Sequence, residues 1–301
     1  MLRECIEALN IKPDGIYVDV TFGGGGHAKA ILEKLDTGKL VAFDQDKDAA
    51  ENAKILDHPN LVFVAANFRF LKNYLRFNRI KQVDGVLADL GISSHQIDEG
   101  SRGFSTRASA KLDMRMDQSG EKTAFDVINS YSGDQLRNIF RFYGEIKNAG
   151  RATDLILKAR AVEEIEETGD LMEVLAPCAM RGKEAKYFAQ VFQAIRIEVN
   201  DELTALQEML EQSADVLKTD GRLVVMSYHS LEDRLVKNFM RAGNFKGEPE
   251  KDFYGNILRP FKPLKSKPIS ASTEEIGENR RARSAKLRIA DKLAPQEPKT
   301  M

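Results

Sequence analysis

Four segments carry residues whose types and spacing could do chemistry. In Asp19-Val20-Thr21-Phe22-Gly23-Gly24-Gly25-Gly26-His27, four consecutive glycines directly follow an apolar run. Glycine reaches positive φ and lets backbone approach a ligand closely, and open α/β sheets bind ligands at the carboxyl ends of their strands. The spacing Gly23-x-Gly25-x-x-Ala28 also satisfies the loose dinucleotide fingerprint. The bland alternative is a flexible turn, but four glycines immediately after a strand argue for a ligand. They do not name it.

Asp44 is the first residue past the second apolar run, 21 positions after Gly23, where a carboxylate can accept both hydroxyls of a ribose. Acids are also favoured as helix caps, and Asp46 and Asp48 share the boundary. We assign Asp44 to the ribose and Asp46 to the cap. Asp89 opens Asp89-Leu90-Gly91-Ile92-Ser93-Ser94-His95-Gln96 at the end of another strand-like run. A dehydrogenase has no special need of an acid there, whereas an amino-methyltransferase does. The lone pair of an exocyclic amine is delocalised into its ring, so transfer is helped by acceptors that bind the amine hydrogens and take the developing positive charge. Asp89 and the carbonyls of Leu90 and Gly91 could serve; the alternative is an acid that only caps a loop. The fourth segment, Ser227-Tyr228-His229-Ser230-Leu231-Glu232-Asp233-Arg234, again follows a strand. Ser230 and Asp233 read as a capping-box-like pair, while Tyr228 and His229 face the crevice, His229 as a catalytic candidate. No nucleophile elbow precedes them, so no serine triad is read here.

The elements that must position these residues follow from hydrophobic periodicity. Short β-branched runs alternate with helical stretches, the signature of βαβ units and a parallel sheet. Strands are expected over Ile16 to Val20, Lys39 to Phe43, Leu61 to Ala65 and Val83 to Asp89, with helices over His27 to Leu35 and Leu71 to Phe77. After Asp89 the rhythm breaks. A Ser-, Gly-, Asp- and Arg-rich stretch leads into helical sequence, and strand patterning resumes only after a long helix from Ala185 to Lys218. Arg222 to Ser227 and Ser284 to Ala290 complete the strands, with loops or a loose hairpin between Gly243 and Glu278. The expected fold is a mostly parallel sheet with helices on both faces, formed by 1–105 and 185–301, and an inserted helical substrate-recognition domain over 106–184.

Composition narrows the class. A chain of 301 residues with 42% hydrophobic residues can bury a proper core. Its net charge of -1 excludes nucleic-acid binding by bulk electrostatics, so any such contact must be local. Arg259, Lys262, Lys265, Lys267, Arg280, Arg281, Arg283, Lys286, Arg288 and Lys292 outnumber nearby acids and form one such stripe, with a solvated surface as the alternative. Arg102, Arg107 and Arg115 lie nearer the expected active edge. Cys5 and Cys178 have no C-x-x-C partner, which suits a reducing cytoplasmic compartment; no metal site, signal peptide or membrane span is indicated.

The segments Thr21 to His27, Asp89 to Gln96, Leu112-Asp113-Met114-Arg115-Met116-Asp117 and Ser230-Leu231-Glu232-Asp233-Arg234 together resemble the bacterial small-subunit ribosomal RNA cytosine-N4 methyltransferase H family. Arg102 to Ser105, Phe192 to Ile197 and Asn279 to Ser284 fit the same pattern, so the resemblance spans almost the whole chain in order. It implies a Rossmann-like catalytic domain that uses S-adenosyl-L-methionine to methylate the exocyclic amine of one cytidine in the decoding region of 16S RNA. The substrate would be an assembled or nearly assembled 30S particle, and a homodimer is compatible with the sequence. The family's cofactor positions fall on Gly25, Gly26, His27, Asp44, Phe68, Asp89 and Gln96; Phe68 and Gln96 come from the resemblance alone. Family members commonly carry a short His-containing segment ahead of Met-Leu-x-Glu, where this sequence starts at Met1. If that segment helps close the site, a chain starting here binds cofactor but catalyses slowly. The competing readings are a non-catalytic ribosome-assembly or RNA-binding factor that retains the pocket, and then a nicotinamide-dependent dehydrogenase.

Overall fold

A computed structural model describes residues 1–93, 96 and 99–295. The chain forms two compact units, one from Met1–Gly91 with Leu203–Met301 and the other from Ile92–Glu202. The first unit begins with α1 (Leu2–Leu9), followed by β1 (Ile16–Asp19), α2 (Gly26–Leu32), β2 (Lys39–Asp44), α3 (Lys47–Leu56), β3 (Leu61–Ala65), α4 (Leu71–Phe77) and β4 (Val83–Asp89). The second contains α5 (Ala124–Ser130), α6 (Gly133–Phe142), α7 (Ala149–Arg160), α8 (Thr168–Leu175) and α9 (Glu184–Asn200). The chain then returns through α10 (Glu202–Val216), β5 (Leu217–Ser227), α11 (Ser230–Ala242), β6 (Phe261–Pro263), β7 (Ile269–Ser270), α12 (Thr273–Glu278) and β8 (Lys286–Lys292).

The eight strands form one sheet in the order β3-β2-β1-β4-β5-β8-β6, with β7 also pairing β8. β1 to β5 run parallel, and β8 lies antiparallel to β5 and β6. Chain direction across the sheet reverses between β1 and β4, which puts the topological switch point at their carboxyl ends. Successive strand residues face opposite sides, and both sides are covered. Val18, Val41, Phe43, Val86 and Val225 pack with Leu71, Met209 and Phe239 on one side. Tyr17, Leu40, Ala42, Leu87 and Val224 pack with Leu9, Ile31 and Ala49 on the other.

The helical unit is wider than the expected 106–184. Phe104 before that range, and Val191, Phe192 and Ile195 after it, are buried with Leu112 and Met114 in the helical unit's own core. Hydrophobic periodicity showed that α9 buries a face but not which core receives it. The expected single helix from Ala185 to Lys218 is two helices, because Asp201 adopts a left-handed conformation with φ 50°. Aspartate tolerates that conformation, so the apolar pattern continues through the break without marking it. The Leu112–Asp117 signature is a structural turn. Arg115 is held bidentately by Asp113, Arg102 donates to the carbonyls of Arg115 and Met116, and Asn200 bridges the backbone of Met114 and Met116. Arg102 and Arg115 are therefore committed internally, while Arg107 is exposed.

Other differences are local. β6, β7 and α12 occupy the region expected as loops, each too short to leave a periodic signal. The last strand starts at Lys286 because Arg280–Ser284 form a 3₁₀ turn. The cap of α11 is His229 with Glu232, not Ser230 with Asp233. Asp233 instead holds Arg288, at 2.7 and 3.2 Å, and Lys286 at 3.3 Å, tying α11 to β8. Among the described residues no helix is long and apolar enough to cross a membrane.

The side chains of Asp233 and Arg288 are 13% and 10% exposed. Asp233→Ala removes charge-assisted hydrogen bonds and strands the guanidinium, so we expect a loss of about 2–3 kcal/mol in urea unfolding at neutral pH. Arg288 and Lys286 hold the Asp233 carboxyl below its ordinary value. That stabilisation is present above the unfolded pKa and is lost on acidification through the folded one. The gap between variant and wild type should narrow at low pH.

Candidate active site

β1, β2 and β4 deliver their acids to one edge. After Asp19 the chain turns across the sheet, with the Val20 amide donating to Leu87 O and the Phe22 amide to Phe43 O. Gly23 and Gly25 take φ of 51° and 77°, and Gly25 caps α2 in the left-handed region where a side chain would be strained. A Cβ at Gly25 would also lie 3.0 Å from the Phe22 ring, whereas one at Gly24 or Gly26 would meet nothing within 4 Å. The loop is thus tight on its inner side and open on its outer side.

Asp44 holds this loop. Its Oδ2 accepts from the Gly23 amide at 2.8 Å and its Oδ1 from the Asp46 amide at 2.9 Å, leaving each oxygen a further lone pair. Burial raises its pKa. Asp46 caps α3 by accepting from the Asp48 amide. Phe68, half-buried, opens the 3₁₀ turn Phe68–Phe70 behind β3, where Asn67 caps the turn and donates to Gln45.

At the switch point, the Asp89 amide donates to Thr21 Oγ1 at 2.6 Å and the Tyr228 phenol donates to Asp89 Oδ1 at 2.9 Å. Burial pushes the Asp89 carboxyl up to about 6, against the lowering effect of the Tyr228 hydrogen bond. His27 Nδ1 lies 3.8 Å from Asp89 Oδ2. Burial lowers the imidazole to about 4, so at neutral pH this is a contact of a neutral ring with a carboxylate and not an ion pair. Tyr228 is itself positioned by Glu232, whose Oε2 accepts the Tyr228 amide at 3.0 Å. His229 lies in the same box, with Nε2 3.1 Å from Glu232 Oε1.

Gly25, Gly26, His27, Asp44, Phe68, Asp89 and His229 therefore all lie at the last residue of a parallel strand of one unit or in the segment that follows it. Gln96 belongs to the helical unit, where it is buried and its Oε1 accepts the Ser93 amide. Ser94 and His95 of the same motif lie outside the described residues. The sequence reading missed Asp19. It is fully buried, its Oδ1 accepts from the Thr21 amide and hydroxyl, and its Oδ2 has no partner. Burial pushes its pKa up to about 7, with the charges of Asp89 and Asp44 adding to the rise. An acid near the end of an apolar run, four residues before the first glycine, was the available signal. His27 Nε2 is likewise buried without a partner.

The site fits a charged nucleoside ligand: an open glycine face, an acid after β2 with spare acceptor capacity, and two partnerless buried polar atoms beside it. A mostly parallel sheet with this loop after β1 and acids after β2 and β4 is a Rossmann-like methyltransferase fold. Over residues 1–293 the sequence matches the MraW methylase family, and the chain belongs to that family. It is 58% identical over 292 residues to a Cytophaga hutchinsonii protein named Ribosomal RNA small subunit methyltransferase H, covering 97% of this chain and 98% of the relative. A Flavobacterium psychrophilum protein of the same name is 57% identical over 293 residues, covering 97% and 100%. A solved rRNA methylase from Streptococcus thermophilus aligns over 97% of this chain and 94% of its own with 13% identity and a TM-score of 0.43, too remote to carry an argument.

The buried Asp19 carboxyl yields a pH prediction. Its folded pKa of about 7 exceeds the ordinary 3.8, so the folded state binds this proton more tightly than the unfolded state. Its contribution to stability is present below pH 4 and is lost as pH rises towards 7. Asp19→Asn should therefore gain on wild type in urea midpoint between about pH 4 and 7 and hold that advantage above.

Proposed function

We propose that the protein methylates the exocyclic N4 amine of one cytidine in the decoding region of 16S ribosomal RNA, in the cytoplasm, on an assembled or nearly assembled 30S particle. The observation that carries this reading is Asp89, a half-buried acid at the switch point whose Oδ1 is fixed by Tyr228 and whose Oδ2 faces neutral His27. The names of the relatives support ribosomal RNA as substrate. The separate core of residues 92–202 supports a substrate-recognition role for the helical unit.

S-adenosyl-L-methionine supplies an activated sulfonium methyl group when bound. Gly25, Gly26 and His27 would give it backbone approach, Asp44 would accept its ribose hydroxyls and Phe68 would flank its adenine, with Gln96 the remaining cofactor position that the family resemblance implies. Asp89 accepts a hydrogen bond from the target amine and stabilises the positive charge that grows on nitrogen, assisted by the Leu90 and Gly91 carbonyls. The neutral state of His27 keeps a competing cation away from that point. His229 acts by positioning, since its ring belongs to the cap that sets Tyr228. Rate acceleration comes mainly from proximity and orientation.

Methyl transfer from radiolabelled cofactor to small-subunit particles from a strain lacking the gene, with mapping of the modified base, tests the proposal. Cofactor binding without transfer would leave a non-catalytic assembly factor. Asp44→Ala is expected to weaken cofactor binding by about 1.5–3 kcal/mol in calorimetry. Asp89→Asn, assayed in single turnover at saturating cofactor, should slow transfer by roughly 10²-fold or more, and His229→Ala by less. The wild-type rate should rise with pH through about 6 as Asp89 ionises and then level off, and Asp89→Asn should lose that limb.

A further inference from the structure

The basic stripe read from the sequence is divided by the fold. Lys286 and Arg288 share Asp233 as their acidic partner. Six residues earlier in the chain, the 3₁₀ turn Arg280–Ser284 arranges its residues differently. Asn279 caps it by accepting the Arg281 amide at 3.1 Å, and Ala282 and Ala285 are 4% and 2% exposed, seating the turn on the unit. In a 3₁₀ turn side chains three apart eclipse, so anchoring Ala282 and Ala285 throws Arg280 and Arg283 together onto the outer side. Both are exposed, and neither has an acidic partner among the described residues. Glu274 and Glu275 belong to the first turn of α12, and Glu278 is the acid nearest in sequence.

The position of the turn matters as much as its charge. β8 runs antiparallel to β5, with Lys286 opposite Ser227, so the residues entering β8 stand at the carboxyl end of β5. Ala285 shares its buried cluster with Phe22, the residue before the glycine loop, and Tyr228 packs against the same cluster. The turn is thus at the edge where Tyr228 meets Asp89.

We propose that Arg280 and Arg283 form a phosphate clamp that grips the RNA backbone beside the target cytidine. The inference rests on the reading of the protein as an RNA methyltransferase. Two unpaired guanidiniums on a rigid turn fit backbone phosphates, which they bind by charge and by forked hydrogen bonds. Such contacts position the strand without reading its sequence.

The test is single-turnover methylation of unmethylated small-subunit particles at several salt concentrations, with particle retention on filters measured in parallel. Arg280→Gln with Arg283→Gln should raise the half-saturating particle concentration about tenfold and lower the slope of log affinity against log salt by about 1.4, the loss of two single-strand phosphate contacts. The affinity of S-adenosyl-L-methionine should not change. Arg280→Lys with Arg283→Lys should keep the wild-type slope, because counterion release depends on charge. An unchanged slope in the glutamine variant, or weakened binding at constant slope, overturns the clamp. Wild type that binds particles but transfers no methyl group overturns the underlying reading, and the filter data then judge the clamp alone.

Discussion

Three carboxylates, the buried Asp19 and the half-buried Asp44 and Asp89, stand at the carboxyl edge of one sheet, and the local structure is organised around their mutual repulsion and lost hydration. Removing a carboxylate from water is costly unless donors replace the solvent. The Thr21 amide and hydroxyl serve Asp19, the Gly23 and Asp46 amides serve Asp44, and the Tyr228 phenol serves Asp89. The glycine loop is therefore both the open cradle and part of the solvation of the acid beneath it.

The same constraint explains the protonation states. Burial without full compensation raises Asp19 to about 7 and Asp89 to about 6, and it lowers His27 to about 4. Near neutral pH the edge is thereby poised with Asp89 largely ionised and the adjacent imidazole neutral. That combination attracts an amine acquiring positive charge. The reach of the network extends to α11, because Glu232 holds the backbone of Tyr228 while Asp233 fastens the helix to β8.

Much of this was legible in the chain. The first four strands, α4 and the glycine loop follow from apolar periodicity and turn chemistry, and Asp44, Asp46 and Asp89 were marked by their places at the ends of apolar runs. Asp19 was harder to single out, since its interest lies in an orphaned oxygen that exists only after β2 and β4 flank β1. Ser230 and Asp233 fitted a capping pattern as well as His229 and Glu232 did, because serine and aspartate cap readily. The choice turned on Arg288 claiming Asp233, a contact 55 residues away.

Local pattern thus specified the element types, the loop that can approach a ligand and the acids available to it, because periodicity and backbone preference act over a few residues. Which core received α9, how the chain turned at Asp201, which arginines were consumed in the Leu112–Asp117 turn and which remained exposed before β8 depended on partners distant in sequence. Burial and pairing are properties of a neighbourhood, and the neighbourhood forms only when the strands order themselves into the sheet.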